Sequence, residues 1–232
     1  MKKQKTIYVL GGMGPQASGY LYKLLVEKAV NNFGAEKNED YPEIIIHSIP
    51  VPDFISDNSK RKQALRMLKK RVEKLNSLDI SCLSIACNTA HILLPRLENI
   101  TKLKFVSIIT ETVKEVHKRK KKKVGLLGTP STIKYGLYQS ELKKYGIEPV
   151  VLDSNKDLQI IEKIIRNVLK GKILAKDEGI LEKAANKLKA RGAEGIILGC
   201  TELPLVFPKK CSLPVFNSLE ILAMALLRNY YK

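Results

Sequence analysis

The sequence predicts an α/β protein made of two similar α/β domains. Each is a parallel-rich sheet flanked by helices, the pair is related by a pseudo-twofold duplication, and the functional site is expected in the cleft between them. Three observations predict this. Apolar, β-rich runs alternate with amphipathic charged runs long enough for helices, the pattern of parallel strands joined by crossover helices. Two stretches read as versions of one another, Ile85 to His91 (IACNTAH) and Leu198 to Pro204 (LGCTELP). Each follows an apolar run (Ile80 to Ala86; Gly195 to Leu198) preceded by a charged helical segment (Arg61 to Ser77; Glu178 to Arg191). Two strand-to-glycine turns, at Gly11 and Gly128, keep the same order ahead of the two cysteines. The offsets are 128 − 11 = 117 and 200 − 87 = 113 residues. That period is too long for a solenoid and suits two small domains.

Along the chain, Thr6 to Leu10 is the first strand, apolar as an interior parallel strand should be. Gly11-Gly12-Met13-Gly14-Pro15 turns into a helix over Gln16 to Asn31, whose Leu21, Leu24, Leu25 and Ala29 share one face. The turn is neither a dinucleotide fingerprint nor a Walker loop. Glu43 to Ile49 is the second strand and ends in Pro50-Val51-Pro52-Asp53. The polar run Ser56 to Lys62 leads into the helix before Cys87, and a helix from about Ile92 to Asn99 follows it. Phe105 to Ile109 reads as a strand and Thr110 to Arg119 as a helix. The second half repeats the plan: strand Val124 to Leu127, a turn through Ser131, and one helix to Tyr145 with Gly146 past its end. Strand Glu148 to Leu152, a helix over Lys156 to Leu169 and a further helix then lead to the strand before Cys200. Val215 and Phe216 are a last short strand, and Ser218-Leu219-Glu220 caps a helix running to Tyr230. The expected division is 1–100 plus 214–232, carrying Cys87, and 101–213, carrying Cys200.

Composition bounds the function. The chain has 232 residues, 44% hydrophobic and without Trp, and no run nears the roughly 18 apolar residues of a membrane span. Met-Lys-Lys-Gln-Lys leads straight into a strand with no cleavable apolar region, so a cytoplasmic protein is expected. None of the four cysteines forms a C-x-x-C pair, which argues against zinc knuckles and thioredoxin-like motifs. Cys82 and Cys211 read as small buried hydrophobes. The formal charge of +18 attracts polyanions non-specifically, but the lysines are dispersed over the helices and not interleaved with aromatics. The dense run Lys118 to Lys123 falls in a turn. No specific nucleic-acid partner is expected, and a small anionic substrate fits the charge equally well.

In open α/β sheets ligands bind outside the carboxyl ends of the strands, so two facing halves would bring Cys87 and Cys200 to one cleft. Three uses of facing thiols are open. A disulfide would lock the cleft, though cytosolic thiols stay reduced. A metal would need further ligands; His91, Asp53 and Glu202 are available, but their spacing fits no recognised site. Proton transfer at a carbon between the sulfurs is the third, because an unperturbed thiol pKa of about 8.5 gives access to both protonation states. The Asn88 amide, the Thr89 and Thr201 hydroxyls and turn N–H groups could bind a carboxylate and steady charge developing as the α-hydrogen leaves. From chemistry alone, catalysis and coincidence stand level.

At Gly11-Gly12-Met13-Gly14-Pro15, Ala86-Cys87-Asn88-Thr89-Ala90-His91 and Gly199-Cys200-Thr201-Glu202-Leu203-Pro204, the sequence resembles the aspartate/glutamate racemase superfamily and, within it, the aspartate racemase family. The three motifs span the whole chain in order. The resemblance implies a racemase without cofactor, pyridoxal phosphate included, commonly a homodimer. In it Cys87 and Cys200 are the acid/base pair, while Met13, Asn88, Thr89 and Thr201 line the site. An Arg is implied directly after Pro52-Asp53, suited to a side-chain carboxylate; Phe54 stands there instead, which is not a conservative change. Lys170 matches the family's other cationic contact and reads equally as a helix-terminal lysine. Lys60 or Arg61 could replace the missing Arg. Gln16 and Ser131 are further polar candidates; His91 either orients a thiol or caps the next helix, and Glu202 and Asp53 either tune a thiol or anchor its turn. The rival readings are another two-cysteine reaction, such as dicarboxylate cis–trans isomerisation or hydantoin racemisation, and a non-catalytic binding protein of the same fold.

Overall fold

A computed structural model describes residues 6–54 and 59–232; Ser56 to Asn58, the start of the polar run expected before the second helix, lie outside them. The first half comprises β1 (Thr6–Gly11), α1 (Pro15–Phe33), β2 (Glu43–Ser48), α2 (Arg61–Leu75), β3 (Ile80–Ile85), a 3-10 turn (Thr89–Leu93) continuing into α3 (Leu94–Glu98), and β4 (Phe105–Val106). α4 (Ile108–Lys118) then leads to β5 (Lys123–Gly128), α5 (Pro130–Lys134), α6 (Leu137–Lys144), β6 (Glu148–Val150), α7 (Asn155–Leu169), α8 (Ala175–Ala190), β7 (Ile196–Gly199), a further 3-10 turn (Leu203–Leu205), β8 (Val215–Asn217) and α9 (Ser218–Tyr230).

The strands form two parallel four-stranded sheets of identical plan, β2-β1-β3-β4 and β6-β5-β7-β8. In each, the chain steps outward in one direction and then in the other, so a topological switch point falls between β1 and β3, and again between β5 and β7. Leu10 pairs with Ile85, and Gly128 with Gly199. The loops after each central pair therefore emerge level and side by side.

Alternation along the strands decides the layers. Ile7 and Val9 of β1, with Val124 and Leu126 of β5, enter one apolar cluster that also takes the inner faces of α1, α4, α6 and α9. Tyr8 and Leu10 point the other way, under α2 and α3. Leu127 and Leu198 pack likewise under α7 and α8. The four central helices thus join the two sheets through a shared core. Cys82 is buried there, while Cys211 is half-buried against the second outer layer. No helix among the described residues is long and apolar enough to cross a membrane.

Four expectations need correcting. The strand expected over Phe105 to Ile109 stops at Val106, because Ser107 caps a helix there by accepting from the Thr110 N–H at 3.3 Å. The single helix expected up to Tyr145 breaks into α5 and α6 at Gly136, which takes a left-handed φ of 62°. The cap of α9 is Asn217, whose Oδ1 accepts from the Leu219 and Glu220 N–H groups; Ser218 instead donates to the Leu198 carbonyl at 2.7 Å. The sheets exchange membership later than residues 100 and 213: β4 completes the first and β8 the second.

Two glycines of the first turn are required. Gly12 has φ 85°, and a Cβ there would lie 2.5 Å from the Ile49 backbone nitrogen. At Gly14 a Cβ would strike Leu169 and come within 2.8 Å of Glu202 Oε1. The second contact marks where the two halves touch.

Candidate active site

The carboxyl-end loops of both sheets converge on one cavity of about 180 Å³, far more than the ~10–15 Å³ that one water occupies by this measure. The first half lines it with Gly12 to Pro15 after β1, Val51 to Phe54 after β2, and Cys87 and Thr89 after β3. The second half contributes Thr129 after β5, Cys200 and Glu202 after β7, and Leu169 at the end of α7. Both thiols are free and face the same space.

Each sulfur occupies the same local setting, one residue or two past a buried strand and just ahead of a short 3-10 turn. Burial pushes the Cys87 thiol up to about 12; the Glu202 carboxylate pushes the same way, while the N–H groups of Ala90 and Thr89 pull it back. Cys200 is 5% exposed. Burial, followed by the Glu202 charge, holds its thiol well above the usual range. Cys87 also acts on the Cys200 charge, so the two sulfurs are within electrostatic reach.

Glu202 bridges the halves. Its Oε1 accepts from the Gly14 N–H at 3.1 Å, and its Oε2 accepts from the Cys200 thiol at 3.1 Å and the Thr201 hydroxyl at 2.9 Å. Burial raises its carboxyl pKa, against the opposing pull of those donors. Glu202 therefore both anchors the turn and governs the thiol. His91 acts one step removed. Its Nδ1–H donates to the Cys87 carbonyl at 2.8 Å, and burial lowers its pKa to about 4, so it is a neutral brace.

The remaining candidates divide by position. Met13 and Thr89 line the cavity. The Thr89 hydroxyl lies 2.8 Å from that of Thr129 and 3.2 Å from that of Thr132, a hydroxyl cluster shared by both halves. Asn88, Thr201, Gln16 and Lys170 are not in the lining. The Asn88 amide donates to Ser218 at 3.2 Å and accepts from the Tyr138 hydroxyl at 2.6 Å. Gln16 donates to the Leu169 carbonyl at 2.9 Å, and its Oε1 is buried without a partner. Lys170 is exposed at the C-cap of α7. Ser131 donates to the Phe54 carbonyl at 3.2 Å. Of the cations suggested in place of the missing Arg, Lys60 is exposed and Arg61 lies over the Tyr135 ring.

Sequence reasoning missed Arg166. From α7 it pairs with Asp53, a lining residue, at 2.8 Å and with Glu162 at 2.7 Å on its own helix. The i,i+4 spacing of Glu162 and Arg166 was the available signal; the partner 113 residues away left none. Thr129, Thr132 and Tyr138 were missed for the same reason. Among the described residues no group of three or more His, Cys, Asp or Glu is arranged to hold a metal.

Comparison with known proteins places this geometry among relatives. The family model described as Asp/Glu/hydantoin racemase matches residues 10–226. The chain is 25% identical over 225 residues to the broad specificity amino-acid racemase RacX of Bacillus subtilis, covering 97% of each. Its fold superposes on the aspartate racemase of Picrophilus torridus with a TM-score of 0.84, at 28% identity over 98% of this chain and 95% of that one. The aspartate racemase homologue of Pyrococcus horikoshii gives a TM-score of 0.81 at 28% identity, covering 99% and 100%.

Proposed function

This chain belongs to the Asp/Glu/hydantoin racemase family, and from that membership we propose that it is a cofactor-independent amino-acid racemase, aspartate-racemase-like in build, with Cys87 and Cys200 as a two-base pair. The carrying observation is that equivalent strands of the two sheets deliver one thiol each to a single cavity. One sulfur, as thiolate, takes the α-hydrogen and forms an S–H bond. The electron pair released from Cα spreads into the α-carboxylate. The opposite thiol then gives its proton to the other face of Cα and becomes the thiolate. Charge is conserved, and the enzyme is left poised for the reverse turn.

Burial and the Glu202 charge disfavour either thiolate, so the protein's own groups favour two thiols. An amino acid changes that balance, because its ammonium group brings a positive charge beside the sulfurs. Two N–H groups favour the Cys87 thiolate, while Glu202 accepts the Cys200 thiol proton at 3.1 Å. The hydroxyls of Thr89 and Thr129, both in the lining, and the turn N–H groups supply donors for the α-carboxylate. Such donors act most strongly where charge develops in a site that excludes water.

A cytoplasmic homodimer, each chain with one α/β domain carrying Cys87 and one carrying Cys200, completes the proposal. The test is solvent deuterium entering the α position of L- and D-amino acids. Cys87→Ala and Cys200→Ala should each lower turnover at least 100-fold, the lower end of what acid/base groups supply. A binding protein without activity would show no exchange and hardly altered ligand affinity in either variant.

A further inference from the structure

Resting on the racemase reading, we propose that the substrate's side chain is uncharged and apolar, so that the enzyme turns over aliphatic or thioether amino acids in preference to aspartate and glutamate. Away from the thiols, the cavity wall is Met13, Pro15, Val51, Pro52, Phe54 and Leu169. The charged groups in the described lining are Asp53 and Glu202, both carboxylates, and no described Lys, Arg or His is part of it. A side-chain carboxylate would enter a space already holding negative charge, against apolar surface that offers it no hydrogen bond. Burying a charge without a partner is among the costliest changes a site can impose.

The nearby cation is committed elsewhere. Arg166 is held by Asp53 at 2.8 Å and by Glu162 at 2.7 Å, so an acidic side chain would have to take it from two carboxylates. The same pairing works against a cationic side chain, which would have to displace Arg166 to reach Asp53. Phe54 is fixed, not adaptable: it is 5% exposed and belongs to the core cluster with Leu65, Leu68 and Ile85. Its carbonyl accepts from Ser131 of the other half. The hydroxyl and N–H donors around the thiols suffice for one carboxylate, the one every α-amino acid carries.

The measurement is α-deuterium exchange by the unaltered enzyme with methionine, leucine, aspartate, glutamate and lysine, each at the same concentration. Methionine or leucine is expected to exceed aspartate, glutamate and lysine at least tenfold in kcat/KM. A preference for aspartate, glutamate or lysine overturns the proposal and leaves the racemase reading standing. Exchange with none of the panel overturns both. Phe54→Arg, checked for folding by its melting curve, should raise the aspartate-to-methionine ratio at least tenfold. If instead Arg166→Ala abolished aspartate turnover and spared methionine, a cation would be serving the side chain and the proposal would fall.

Discussion

Glu202 gives the two sulfurs unequal surroundings, and pH should expose its influence. Both thiols lie above their ordinary range, with burial the larger cause and the Glu202 charge the next. Below a thiol's pKa the thiolate fraction rises tenfold per pH unit. The value of kcat/KM should therefore climb steadily from pH 7 to 9 without reaching a plateau. In Glu202→Gln the repelling charge is gone, so the rising limb should move to lower pH; an unmoved limb in steady-state assays would rule out this electrostatic role. His91 makes a separate prediction about stability. Its folded pKa of about 4 lies below the ordinary 6.5, so the unfolded chain binds the extra proton first. Its contribution is complete above pH 6.5 and is lost as pH falls towards 4. At 1.36 kcal/mol per unit this is about 3 kcal/mol. Urea midpoints at pH 7 and pH 4.5 should diverge more in the parent than in His91→Gln.

Among the elements, those with one period and a clear stop were legible from sequence. β1 and its glycine turn, α7 before Gly171, and the strand leading to Cys200 needed no tertiary information. The errors share a cause. Phe105 to Ile109 is apolar except for Ser107, and such a run serves a strand or the first turn of a helix equally well; Ser107 decides, as a cap. At α9 two adjacent residues could cap, and the structure gives the role to Asn217 while Ser218 reaches back to β7. Asn217→Ala should then cost about 1 kcal/mol, as loss of an N-cap typically does, read as a lowered melting temperature. An unchanged melt would argue against the cap.

For the whole molecule, duplication was readable because two thiols and two glycine turns repeat at nearly one interval. The bonds that join the halves were not. Gly14 to Glu202, Ser131 to Phe54 and Arg166 to Asp53 each connect residues between 77 and 188 positions apart. No local pattern marks such pairs, yet Gly14, Glu202, Phe54 and Asp53 all line the cavity. The repeat is also imperfect where it matters: two residues past the first thiol stands Thr89, and two past the second stands Glu202.

That mismatch of a hydroxyl and a carboxylate makes the two faces of a bound carbon unequal, although its two products are mirror images of identical free energy. Equilibrium then requires kcat/KM to be the same for the L and D forms. Whatever speed Glu202 confers in one direction must be matched by weaker capture of that enantiomer, leaving a handed enzyme with an even-handed outcome.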